Sequence, residues 1–230
     1  MNKKNTSGLF ALIACCYLLL HAGASILWAQ RAAASIGLFE NHTDVGTVLH
    51  PGSVQYDASK GTYTISGSGE NMWSSTDDFQ FVWKKASGDV SLAADISFVG
   101  TGGNPHRKAV LMIRQSLDAG SVYADVALHG IGLTALQFRA ENGAVTQEVR
   151  ASVTSPKRLR IEKRGDYFYM FLGEGSELHY AARSPRLHLK APFYVGIGVC
   201  SHDKDRVEKA IFSNVDLETS SPSASTHPAR

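Results

Sequence analysis

Cysteine is nearly absent from the part of this chain that matters for folding. Of three in 230 residues, Cys15 and Cys16 lie in an apolar N-terminal run, and only Cys200 lies beyond it. Once that run is removed no intramolecular disulfide can form, so a packed core must carry stability unaided. Cys200 sits in Phe193-Tyr194-Val195-Gly196-Ile197-Gly198-Val199-Cys200, a strand pattern and not a helix N-terminus that would activate it; a buried, inert thiol is expected. Charge of one sign is also missing. Lys3 and Lys4 are the only charged residues among the first 29, which leaves 21 basic against 21 acidic residues in the remainder. That balance offers no built-in field for nucleic acid or an anionic membrane. No stretch after residue 30 keeps a 3.6-residue apolar period for three turns, and no internal repeat is visible, which disfavours bundles, doubly wound folds and propellers.

What is present begins with an address. Lys3 and Lys4 precede an apolar run from Gly8 to Ala29 that contains no acidic residue, the form of an export signal. Two cleavage sites fit: after Ala24, behind Ala22-Gly23-Ala24, or after Ala29, with Leu27 in the outer position. Leu12-Ile13-Ala14-Cys15 also matches a lipoprotein box, but the strongest apolar residues follow it. An uncleaved anchor is the remaining alternative. The expected organisation is a signal peptide over 1–29, one domain over 30–218 and a loose Ser/Thr/Pro/Ala tail over 219–230, in a protein that is periplasmic or extracellular with no membrane contact after cleavage.

Between the ends the period is two. Alternating or apolar runs of strand length occupy 63–66, 79–83, 90–96, 110–114, 123–128, 136–139, 145–149, 159–162, 167–172, 193–199 and 210–212, about eleven strands. Lys60-Gly61, Ser87-Gly88-Asp89, Asn142-Gly143 and Gly165-Asp166 supply turn chemistry for hairpins. So many strands without covering helices must bury their apolar faces against one another, as two antiparallel sheets in a sandwich or jelly roll. Phe79, Phe81 and Trp83 are expected to line the core between those sheets.

In order along the chain, Gly52-Ser53-Val54-Gln55-Tyr56-Asp57, Tyr63-Thr64-Ile65-Ser66-Gly67-Ser68-Gly69, Trp73, Asp77-Asp78-Phe79-Gln80-Phe81-Val82-Trp83, Gly88-Asp89 and Met112-Ile113-Arg114-Gln115-Ser116-Leu117 form a recognisable series. Over roughly 39–217 the chain resembles a bacterial concanavalin A-like, lectin/glucanase-type domain of unknown function, related to "regulation of enolase protein 1" and often found with TolB-like propellers. The resemblance implies a concanavalin A-like jelly roll exported from a bacterium. It carries over no catalytic or binding residue.

Strand parity gives the candidate site. Arg114 ends one strand, Tyr123, Asp125 and His129 occupy alternate positions of the next, and Gln137 and Arg139 alternate in a third. These six are expected to share one concave, solvated sheet face, where planar polar groups and aromatic rings suit a carbohydrate. The plainer expectation is an ordinary outer face with an ion pair such as Arg114 with Asp125. On either view Arg139 is solvated and adds little to folding.

Enzymatic alternatives are constrained by what carboxylates are available. No Glu-x-Asp-x-Glu run exists, which excludes the retaining hydrolase arrangement of two acids on alternate residues of one strand. A polysaccharide lyase acting on uronates needs an Arg, an amide and a base. Arg114, Gln137 and His129 with Tyr123 or Tyr169 form such a set. The sequence therefore points to a non-catalytic glycan-binding module whose partner is a carbohydrate, with the lyase and an extracytoplasmic protein-interaction module as alternatives. No cofactor is expected; structural calcium at Asp77-Asp78 or Asp203-x-Asp205 is the one alternative. Arg164-Gly165-Asp166 reads as a hairpin turn. The basic run Lys157, Arg158, Arg160, Lys163 and Arg164 reads as a solvated face, or as a contact for an anionic glycan.

Overall fold

The computed structural model describes residues 36–220; the signal, its cleavage sites and most of the expected tail lie outside them. Among the described residues there are sixteen strands, numbered here in chain order, and no helix. One sheet runs in spatial order β1 (Asn41–Val45), β6 (Phe79–Ala86), β15 (Phe193–Cys200), β8 (Lys108–Arg114), β9 (Tyr123–His129), β10 (Thr134–Arg139) and β11 (Gln147–Arg150). The second runs β14 (Glu177–Arg183), β13 (Tyr167–Glu174), β12 (Arg158–Arg164), β7 (Val90–Phe98), β16 (Glu208–Thr219), β3 (Thr62–Gly67) and β2 (Ser53–Asp57). Every pairing is antiparallel, and the crossovers between sheets make an all-β jelly-roll sandwich. A short hairpin of β4 (Met72–Trp73) and β5 (Thr76–Asp77) stands apart from both sheets.

The inter-sheet core is built by alternation. Ala109, Leu111 and Ile113 of β8, Ala124, Val126 and Leu128 of β9, and Leu136 and Phe138 of β10 meet Leu92, Ile96, Ile161, Phe168, Met170 and Phe212 of the other sheet. The eleven expected strands are all present, most of them longer than their apolar signal. Of the additional five, β1, β2 and β14 are sheet edges. An edge strand such as Asn-His-Thr-Asp-Val, exposed over much of its length, has no buried face to imprint a period on it.

Two expectations are corrected. Ser87-Gly88-Asp89 does not close a hairpin, because it joins β6 of one sheet to β7 of the other; the turn chemistry is right and the partner is not. Phe79 and Phe81 do not line the inter-sheet core. Val82 does, while the two rings face the opposite way, into a second buried cluster with Val45, Met72, Val110, Met112, Tyr123, Ala127 and Cys200. Trp83 is half-buried at the edge of that cluster, edge-on to Tyr194 at 5.0 Å between ring centres. Gly196 and Gly198 of the neighbouring strand make room there: a Cβ on Gly196 would come within 2.9 Å of the Phe81 ring, and one on Gly198 within 2.9 Å of the Phe79 ring. The first sheet is thus buried on both faces over much of β8, β9 and β10.

Candidate functional site: a cleft on the outer face of the first sheet

The register confirms the parity of the six candidate residues. Arg114, Tyr123 and Arg139 lie side by side across three strands, Gln137 lies beside Asp125, and His129 lies beside Lys108. What covers them splits the group in two.

At one end the β4–β5 hairpin closes over the sheet, and Asp77 is its anchor. Arg139 grips this carboxylate with both terminal nitrogens, Nη1 to Oδ2 at 2.8 Å and Nη2 to Oδ1 at 2.7 Å. Arg114 adds Nη2 to Oδ2 at 3.4 Å and donates to the Asp118 carbonyl at 2.7 Å. Arg139 also donates to the carbonyls of Ser74, Ala119, Ser121 and Ala144, while Tyr123 Oη meets Thr146 Oγ1 at 3.1 Å. All three charged side chains are 0% exposed. Burial pulls Arg114 down to about 10; for Arg139 burial is the largest single influence and lowers it, but the hydrogen bonds and charge of Asp77, with Tyr123 and Asp125, together raise it. The expected solvated face is therefore corrected for Arg114, Tyr123 and Arg139, which reach no open surface. So is the Arg114–Asp125 ion pair, since Arg114 is committed to Asp77. The lyase set does not assemble either, because Arg114 and Tyr123 are sealed beneath the hairpin and Tyr169 belongs to β13 in the other sheet.

The carboxylates singled out for calcium are also engaged. Asp77 is held by the two arginines, Asp78 Oδ1 accepts from Thr47 N at 2.8 Å, and Asp203 Oδ1 accepts from Asp205 N at 3.0 Å. Among the described residues no group of three or more His, Cys, Asp or Glu side chains is placed to hold a metal ion. Cys200 is buried as expected, and burial pushes its thiol up to about 11. Gly165-Asp166 is a two-residue turn joining β12 to β13. On the basic run, Arg158 pairs with Asp95 and Arg160 with Glu162, while Lys163 turns inward to the Gly165 carbonyl at 2.7 Å.

At the other end the face opens into a cleft of about 270 Å³. His129 and Gln137 line it, together with Asn71, Trp73, His106, Lys108, Leu133, Glu148, Arg150 and His202. Asn71 Oδ1 is the hub, accepting from Lys108 Nζ at 2.8 Å, from Met72 N at 2.8 Å and meeting His202 Nδ1 at 3.1 Å. His129 Nδ1 lies 3.0 Å from the Leu133 carbonyl, so it carries the hydrogen and leaves Nε2 as an acceptor. Burial, helped by the Lys108 charge, pulls this imidazole down to about 4. The His106 ring stands 6.0 Å from that of His129 and 5.6 Å from that of His202. Its loop is tied down by Arg107, which donates to Glu208 Oε2 at 2.7 Å. Gln137 Nε2 donates to Glu148 Oε2 at 3.3 Å, and its Oε1 is buried without a partner. Beneath the cleft, Asp125 is fully buried with neither carboxyl oxygen hydrogen-bonded.

Sequence reasoning missed Asn71, Trp73, His106, Lys108, Glu148, Arg150 and His202 as a group. Lys108 was legible, because it sits at an even position with Arg114 on the same strand. His106 and His202 were not, since loops nearly a hundred residues apart bring them together.

No protein-family model matches this chain, and no curated protein matches it in sequence. Among solved structures, a functionally unknown protein from Saccharomyces cerevisiae aligns at TM-score 0.58 and 16% identity over 78% of this chain and 96% of that one, a likeness of fold alone. The carbohydrate binding module CBM66 from Bacillus subtilis aligns at TM-score 0.48 and 20% identity over 79% and 97% of the two chains. A Bacillus licheniformis beta-glucanase aligns at TM-score 0.48 and 8% identity over 78% and 92%.

Proposed function

We propose that this chain is an exported, non-catalytic glycan-binding module that takes a saccharide in the cleft between Trp73 and the side chains of β8 to β11. The export part rests on the charge and apolar pattern of residues 1–29, and the bacterial concanavalin A-like resemblance is in keeping with it. The binding part rests chiefly on one observation: the cleft sets the Trp73 indole beside a ring of polar side chains, among them Lys108, His129, Glu148 and His202. Sugars match such a site, because their hydroxyls satisfy buried donors and acceptors while a pyranose face covers an aromatic ring. A cleft of this size holds one ring and its substituents. A few hydrogen bonds of about 0.5–1.5 kcal/mol each plus one stack place affinity nearer micromolar than nanomolar.

A glycan array followed by calorimetry on the best binder tests the reading. Trp73→Ala is expected to weaken binding by about tenfold or more while the unfolding midpoint moves little. Absence of any retained glycan would remove the proposal, and release of unsaturated uronates by the wild-type protein would replace it with lyase chemistry.

A further inference from the structure

Lys108 is a buried amine with no ion-pair partner among the described residues; burial lowers it from its ordinary range, against the pull of Cys200, Asp125, Asp77 and Glu148. Its side chain is 2% exposed, yet its ammonium donates only to neutral acceptors, Asn71 Oδ1 at 2.8 Å and the Met72 carbonyl at 3.4 Å. Two of its three N–H groups are thereby used. Among the described residues no carboxylate forms an ion pair with it. Glu148 is taken by Arg150 and Gln137. Asp125 makes no hydrogen bond through either carboxyl oxygen, and desolvation raises its carboxyl against the pull of Lys108. The imidazoles of His129 and His202 are both lowered by burial and by the same ammonium, so they add no negative charge and answer none.

A buried cation without a counter-ion is costly unless something supplies the anion. Here the cation borders a cleft that also contains an indole face. We infer that the cleft recognises a carboxylate-bearing sugar. The carboxylate takes the third N–H of Lys108, and the apolar ring face lies against Trp73. One lysine matches one monoanion. A phosphate dianion calls for further charge or a fork of donors, and Arg150, the other cation at the cleft, is already paired. The inference rests on the glycan-binding reading and narrows it to acidic saccharides, whether the acid is a uronic or a sialic type.

The test is a matched comparison on the wild-type protein by calorimetry, so that it does not depend on a variant folding. An oligouronate and a sialylated trisaccharide are each measured beside the same sugar with its carboxyl group reduced to the alcohol, and a sulfated neutral oligosaccharide is included. The expected result is that one acidic sugar binds and its reduced form binds about tenfold more weakly or worse. Lys108→Met should then bind both forms with the weaker affinity. Equal affinity for the acidic and reduced forms, or preference for the sulfated sugar, overturns the carboxylate inference and leaves glycan binding standing. Failure of every saccharide on the array, neutral and acidic, overturns both.

Discussion

At the scale of single residues, His129 shows how an alternating position acquires a chemistry that its sequence neighbours do not announce. The unfolded imidazole takes its proton near 6.5 and the folded one near 4. Between those values the unfolded chain holds more protons, so the stability this residue contributes is complete above about 6.5 and is lost as the pH falls towards 4. Asp125 acts in the opposite sense: its carboxyl is raised in the folded state, so its contribution is present below its ordinary value of 3.8 and lost as the pH rises. The two oppose each other in the wild-type protein. Comparison with His129→Gln separates them, and the variant should gain on the order of 3 kcal/mol relative to wild type between pH 7 and pH 4. Urea unfolding at the two pH values measures it. Parallel pH profiles for the two proteins would mean that the ring is hydrated and titrates normally.

Among the elements, the β4–β5 hairpin has the largest consequence for its size. Two strands of two residues each have no cohesion of their own. They are held by Asp77 against Arg114 and Arg139, and they carry Asn71 and Trp73 into the cleft wall. The arginines that the sequence nominates for a ligand thus hold the segment that supplies Asn71 and Trp73 to the cleft. Arg139→Ala should cost about 3–5 kcal/mol in unfolding free energy, because it leaves a buried carboxylate facing one longer contact and strips donors from four carbonyls. Denaturant titration decides it. An unchanged midpoint would return the guanidinium to the surface, where the sequence alone had put it.

For the whole molecule, the two sheets depend on strands from distant parts of the chain. Strand β16 lies in the interior of the second sheet, bonded to β7 on one side and β3 on the other. It brings Ala210 and Phe212 to the core and Glu208 to the Arg107 anchor of the His106 loop. A chain ending at residue 207 is therefore expected to show no cooperative unfolding transition, since both neighbours become unpaired edges and the core opens. Near-UV circular dichroism with thermal melting checks this. A native-like melt in the shortened chain would mean that β3 and β7 can pair directly.

The period of two was decided by the sequence itself. Side chains alternate across a strand whatever its surroundings, so the all-β class, eleven strands and the common face of Arg114, Tyr123, Asp125, His129, Gln137 and Arg139 could be read without coordinates. The burial of Cys200 followed from the same local pattern. Which side of a face meets water was not readable. Phe79 and Phe81 are as apolar in the second cluster as they would be between the sheets, and an Asp-Asp pair has the same letters whether it faces a cation, solvent or two guanidinium groups. Only the tertiary structure brought Asp77 onto Arg114 and Arg139, closing one half of the sheet face, and set His106 and His202 beside Lys108 in the other. Alternation is a property of the backbone between neighbours, whereas cover and cleft depend on loops from distant parts of the chain, and no local period records their meeting.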